Sequence, residues 1–210
     1  MGELSLMSHS ARRKYSRWFG PRSSRLARDN QVALVRHDAS AETGVERVSA
    51  RFLTRSRNEI VLRYCATGDL STVTVPRRVS GRRKDDLWRN TCFEFFARFE
   101  NEPAYWEMNF SPSSDWAAYR FSDYRNNRRN EPLASAAFFD ILTTENRLRV
   151  DIRLSLGALQ SRSLRTARFG FSAVFRDAEE RMSYWALAHP EGQPDFHHPT
   201  CFSFNPYRER

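Results

Sequence analysis

The chain has 210 residues, a formal net charge of +9, and 40 % hydrophobic and 13 % aromatic side chains. A chain with 16 Phe, 7 Tyr and 5 Trp is not disordered over most of its length, and at this size a single core buries enough surface to dispense with a metal or disulfide staple. No apolar run is long enough to span a bilayer, and three cysteines, Cys65, Cys92 and Cys201, are too few for a disulfide framework.

The charge sits unevenly. Residues 1–36 carry eight basic side chains against two acids, whereas the remainder carries 26 against 23. Residues 1–30 therefore read as a basic, disordered arm and residues 31–210 as one nearly balanced domain. Nucleic acid is expected as a partner only through the arm. The start has no apolar segment of the secretory kind, and free thiols suit a reducing compartment, so the expected location is the cytoplasm, with no membrane contact. The cluster RRVSGRRK (77–84) has no interleaved aromatics and reads as a solvated loop rather than a phosphate-contacting one.

From residue 31 onward, short apolar–polar alternations predict strands at 32–37, 45–53, 59–68, 70–76, 91–99, 104–111 and 116–124. FFDILTTENRLRVDIRL reads as a hairpin turning at Glu145-Asn146, and strands at 167–177 and 182–189 complete the set. LGALQSRSL (156–164) holds at most one helical turn. Strands every 8–14 residues with Pro, Gly, Asn and Asp between them predict an all-β, antiparallel β-sandwich.

Alternation also sorts faces. In 91–97, Phe93 and Phe95 mark the core side and Glu94 the other. In 105–111, Trp106, Met108 and Phe110 oppose Glu107 and Asn109. On the same reasoning Arg120, Trp185 and His189 join Glu94, Glu107 and Asn109 on one sheet face, with Trp88 just ahead of the first strand. Two indoles, carboxylates, an amide and a guanidinium suit a polyhydroxylated ligand, whose C–H faces stack on Trp and whose hydroxyls need paired donors and acceptors. The same residues equally suit a plain sheet-covering layer.

The segments LWRNTCFEFF (87–96), YWEMNFSPSSDWAAYRFSDYR (105–125) and SYWALAHPEGQPDFHHP (183–199) resemble the bacterial DOMON-like domains, which are similar to the type-9 carbohydrate-binding modules of secreted xylanases. The resemblance is good over 85–205, loose over 31–84, and absent from 1–30. It implies a two-sheet β-sandwich with a concave ligand face and a non-catalytic role in binding a saccharide or similar small polar ligand. It further implies that Trp88, Glu94 six residues later, Asn109 and a second tryptophan, Trp185, belong to the site. Glu107 stands where the pattern leads one to expect a basic residue, and no acidic cluster resembles the modules' calcium sites, so no metal is expected.

Two other functions fit some of the residues. Certain DOMON domains bind haem b, for which Met108, Met182, His189, His197 and His198 are the available axial ligands. Met108 falls on the core side, however, and His197-His198 beside Pro199 read as a turn. An enzyme would use Glu94 and Glu107 as an acid/base pair, yet no nucleophile elbow, HExxH or CxxC motif accompanies them, so no catalytic residue and no bound cofactor is expected. A Trp-bearing exposed face also suits a protein partner.

Overall fold

A computed structural model of the chain describes residues 30–54, 59–78, 81–132, 138–155 and 163–207. Residues 1–29 of the basic arm, and residues 156–162 of the segment 156–164 expected to hold a helical turn, lie outside them; Leu164 opens a 3-10 turn, Leu164–Thr166. Among the described residues are eleven strands: β1 (Gln31–Arg36), β2 (Val45–Thr54), β3 (Glu59–Gly68), β4 (Cys92–Phe99), β5 (Tyr105–Phe110), β6 (Trp116–Phe121), β7 (Arg129–Asn130), β8 (Phe138–Thr144), β9 (Arg147–Ser155), β10 (Ala167–Arg176) and β11 (Met182–Ala186). Every pairing is antiparallel, in the order β7-β6-β5-β4-β10-β11-β1-β2-β3-β9-β8.

That single ribbon folds over at β1. Residues 31–34 pair with β2, while Val35 and Arg36 pair with Ala186 and Trp185 of β11. The strand thus changes layers within six residues, and the sheet becomes a two-layer β-sandwich. The front layer contributes Phe93, Phe95, Trp106, Met108, Phe110, Phe169, Phe171 and Phe175 to the core; the back layer contributes Phe52, Ile60, Leu62, Tyr64, Leu148, Val150, Ile152 and Leu154. Across the interface Phe52 stacks on Phe169 at 5.2 Å, and Tyr64 meets Phe93 at 4.9 Å. Each such buried ring contributes roughly 1.5–3 kcal/mol from area alone, with aromatic geometry adding to it. Tyr64 is fully buried, and its hydroxyl donates to the backbone carbonyl of Glu94 at 2.5 Å, tying the layers together beneath the site. Burial pushes that phenol's pKa well up, so it remains a donor.

The outer face of the front layer is itself partly covered. Leu87, Cys92, Phe96, Tyr105, Tyr119, Phe121, Val174, Phe196, Cys201 and Phe202 form a second apolar cluster, built where the chain after β11 returns over β10 and β4. Gly170 permits this return: a Cβ there would lie 3.0 Å from the Cys201 carbonyl oxygen and 3.3 Å from Phe96 Cβ.

The strand expected at 70–76 does not form. Asp69 Oδ1 accepts from Ser71 N–H (3.1 Å) and Ser71 Oγ (2.6 Å), closing a local turn that competes with ladder pairing. Val73 makes one bridge, to Asp177, and with Leu70 plugs an end of the core. The expected run 116–124 stops at Phe121, where Ser122 N–H bonds the Asn126 carbonyl to close a turn, and 182–189 stops at Ala186. No helix among the described residues is long and apolar enough to cross a membrane.

Candidate functional site

A cavity of about 550 Å³ opens on the outer face of the front layer. Its strand-borne lining is Glu94 from β4, Glu107 from β5, Tyr119 and Phe121 from β6, Val174 from β10 and Tyr184 from β11. The register explains the grouping. Phe96 lies opposite Glu107, Glu107 opposite Tyr119, Tyr105 opposite Phe121 and Val174 opposite Tyr184, so all these side chains rise from one face. Loops complete the wall: Asp86 and Trp88 on one side, Arg125 and Arg128 on another, and Gln193, Pro194, Phe196 and His197 after β11.

Trp88 sits in a 3-10 turn, Leu87–Arg89, entered through Asp86 in the left-handed conformation (φ 59°). Leu87 is buried and anchors the turn, leaving Trp88 46 % exposed at the cavity with the Arg89 guanidinium 5.1 Å from its ring. An indole this exposed has been kept from the core although its apolar area favours burial.

Glu94 and Glu107 are buried on adjacent strands. Ser172 Oγ donates to Glu94 Oε2 (3.2 Å) and Asn109 Nδ2 to Glu107 Oε1 (2.7 Å). Burial holds the Glu94 carboxyl above the ordinary range, and the neighbouring Glu107 adds to the effect. Burial likewise raises Glu107, against the hydrogen bond from Asn109 and the charges of Arg128 and Arg125.

His197 is fixed by its neighbours. Tyr105 Oη accepts from Arg125 N–H (3.1 Å) and lies 2.7 Å from His197 Nδ1. With an amide already donating to that oxygen, we assign the phenol as the donor to Nδ1, which places the imidazole proton on Nε2, 3.7 Å from Glu107 Oε2. Burial, aided by Arg125, lowers the His197 pKa to about 4, so the ring is neutral near pH 7. Asp195 ties the two flanking loops together. It accepts from Arg125 Nη2 (2.6 Å), Tyr124 Oη and His197 N–H (3.1 Å). Burial opposes its ionisation, but the Tyr124 and Arg125 hydrogen bonds outweigh this and hold its pKa low.

Of the residues expected from sequence, Trp88, Glu94 and Glu107 line the cavity. Asn109 lies on the same face but is 1 % exposed and acts on Glu107 rather than lining the space. Three expectations are corrected. Arg120 is opposite Trp106, on the core-facing parity of β6, and reaches solvent across that indole with its guanidinium 5.0 Å from the ring. Trp185 is opposite Ala173 and packs in the main core, its Nε1–H satisfied by Ser183 Oγ at 3.1 Å. His189 lies beyond the end of β11, where Nε2 pairs with the Val35 carbonyl (2.8 Å) and the ring meets His37. Tyr119, Phe121, Arg125, Arg128 and Tyr184 are cavity residues outside the expected set, and His197, weighed above only as a haem ligand and read as part of a turn, joins them. The cross-strand register would have identified the strand residues among them, and no local pattern marks the two loops.

The other side chains considered as haem ligands are dispersed: Met108 in the main core, Met182 against the outer cluster, and His198 capping the 3-10 turn Pro199–Cys201. Among the described residues no group of three His, Cys, Asp or Glu side chains is placed to hold a metal ion. The basic cluster at 77–84, of which 79 and 80 lie outside the described residues, is partly engaged: Arg83 binds Asp85 (2.8 Å) and Asn130.

No protein-family model matches the chain, and a search of curated proteins finds no match. Solved structures do share the fold. A suspected carbohydrate-binding protein from Bacteroides uniformis superposes with a TM-score of 0.61 at 16 % identity, over 83 % of this chain and 84 % of that one. A family 9 carbohydrate-binding module from Caldicellulosiruptor kristjanssonii aligns at lower similarity in two complexes. With cellotriose the TM-score is 0.48 at 15 % identity, over 86 % and 83 % of the two chains; with glucose it is 0.42 at 17 %, over 73 % and 72 %. At these identities the first likeness defines the class of architecture, an antiparallel β-sandwich, and nothing finer.

Proposed function

We propose that this chain is a non-catalytic module that binds a saccharide in the outer-face cavity. The observation that carries the reading is Trp88, a half-exposed indole held at the rim of a cavity whose floor carries two buried carboxyls and whose wall carries an imidazole and two guanidinium groups. A sugar ring stacks its C–H face on the indole and bonds its hydroxyls to Glu94, Glu107, His197 and Arg125. The Bacteroides uniformis protein of like fold is itself suspected of binding carbohydrate, which agrees with this reading.

The placement of the acids supports binding without turnover as part of this reading. Glycoside hydrolysis uses two carboxyls flanking the scissile bond, whereas Glu94 and Glu107 rise from neighbouring strands of one floor. The two buried thiols are not activated: burial drives the Cys92 pKa well up and raises that of Cys201 to about 11. Titration calorimetry against mono- and oligosaccharides tests the reading. Saturable binding without hydrolysis, weakened at least tenfold in Trp88→Ala with an unchanged melting temperature, is expected. An equally tight Trp88→Ala protein, or hydrolysis lost in Glu94→Gln, refutes it.

A further inference from the structure

We propose that the preferred ligand is an acidic saccharide, a uronic-acid sugar whose carboxylate docks on Arg128; this rests on the saccharide reading above. Of the charged side chains lining the cavity, Asp86 and Arg125 are already held in ion pairs. Asp86 faces Arg89 at 3.9 Å, and Arg125 is held by Asp195 at 2.6 Å. Arg128 differs. Its guanidinium lies 4.8 Å from the centre of the Tyr119 ring and makes no hydrogen bond or ion pair with any described residue. A guanidinium held over the ring keeps its N–H donors available for a planar acceptor.

The platform beneath Arg128 is itself locked. Tyr119 Oη donates to Asp85 Oδ1 at 2.5 Å, and Asp85 is gripped through both oxygens by Arg83 (2.8 and 3.1 Å). The loop that carries Arg128 is held in a costly conformation. Arg125 and Asn127 both have positive φ, 52° and 50°, without being glycine. Bonds from Arg125 N–H to Tyr105 Oη, from Asn126 N–H to the Asp123 carbonyl and from Ser122 N–H to the Asn126 carbonyl keep it there, with the Arg125 guanidinium on Asp195.

The remaining polar groups favour an acceptor. His197 presents Nε2–H, and two buried carboxyls held above the ordinary range lean toward the protonated, donating form. A carboxylate accepts and never donates, and it fits a guanidinium fork two bonds at a time. One guanidinium without a hydrogen-bonded partner among the described residues suits a single negative charge.

The test titrates the full chain calorimetrically with matched pairs, glucose against glucuronate and galactose against galacturonate, at low and high salt. The uronate of a pair is expected to bind roughly 10- to 100-fold more tightly, with a preference that shrinks as salt rises. In Arg128→Gln the ratio within each pair should fall to near one, and Arg128→Lys should restore part of it. Neutral sugars that bind as well as their uronates, or a preference that survives Arg128→Gln, overturn the assignment and leave the saccharide reading standing. Failure of all four sugars to bind overturns both. The wild-type comparison requires no variant to fold.

Discussion

Glu94→Gln should make the folded protein less sensitive to rising pH. Glu94 is 3 % exposed, and burial, with Glu107 beside it, holds its carboxyl above the ordinary range. A folded pKa above the unfolded one means that the folded state keeps a proton which the unfolded chain releases. The resulting stabilisation is complete below the unfolded carboxyl pKa, about 4.3, and is lost as pH climbs toward the folded value. Within that window one such group lowers stability by about 1.4 kcal/mol per pH unit. From pH 5 to 7 the loss is at most about 3 kcal/mol, a large part of the 5–15 kcal/mol that holds a domain together. His197 acts in the opposite sense. Its folded pKa, lowered to about 4, makes stability fall as pH drops below the unfolded value of about 6.5. Subtracting the variant's curve from the wild type's cancels His197 and leaves the Glu94 carboxyl together with its interaction with Glu107. Urea unfolding followed by tryptophan fluorescence from pH 5 to 8 measures this. Relative to Glu94→Gln, wild-type stability should decline by about 1 kcal/mol per pH unit over the window. A difference that stays flat across the range would show that Glu94 ionises normally and refute the reasoning.

Two substitutions test the packing. Trp185→Ala should cost about 3–5 kcal/mol of stability, because it opens a cavity in the main core and leaves Ser183 short of a donor; a loss of ligand affinity at full stability would instead make Trp185 a stacking platform. Gly170→Ala drives a methyl to within 3.0 Å of the Cys201 carbonyl and should cost about 1–3 kcal/mol by thermal melting, and no change would mean that the return segment moves away freely.

The strands were largely legible, since period-2 alternation is strong wherever one face is buried. In β4 and β5 it also gave the right parity, because Phe93 and Phe95 against Glu94, and Trp106, Met108 and Phe110 against Glu107 and Asn109, leave little ambiguity. In β6 and β11 every position but Arg120 is buried or half-buried, so polarity misled. Arg120 is charged yet lies on the core parity, because a long side chain at the sheet's margin can run over Trp106 to water. Trp185 brings its own hydrogen-bond partner, Ser183, two residues along the same face, so its indole needs no ligand site. Tyr119 belonged to the rejected parity. Only its pairing opposite Glu107 reveals its place, and register between strands is a tertiary fact. Arg125, Arg128 and His197 lie on loops, where alternation carries no information; their placement depends on Asp195 bridging two segments some seventy residues apart.

Indole and backbone amide NMR shifts during a saccharide titration are the most direct measurement of where the ligand goes. The sequence has five tryptophans, and two of them separate the possibilities, Trp88 at the cavity rim and Trp185 in the core. Saturable shifts at the Trp88 indole and at the amides of Glu94, Glu107 and His197, with the Trp185 indole unmoved, are the predicted result. Shifts centred on Arg120 or Trp185, with Trp88 silent, would place the ligand elsewhere and contradict binding in the outer-face cavity.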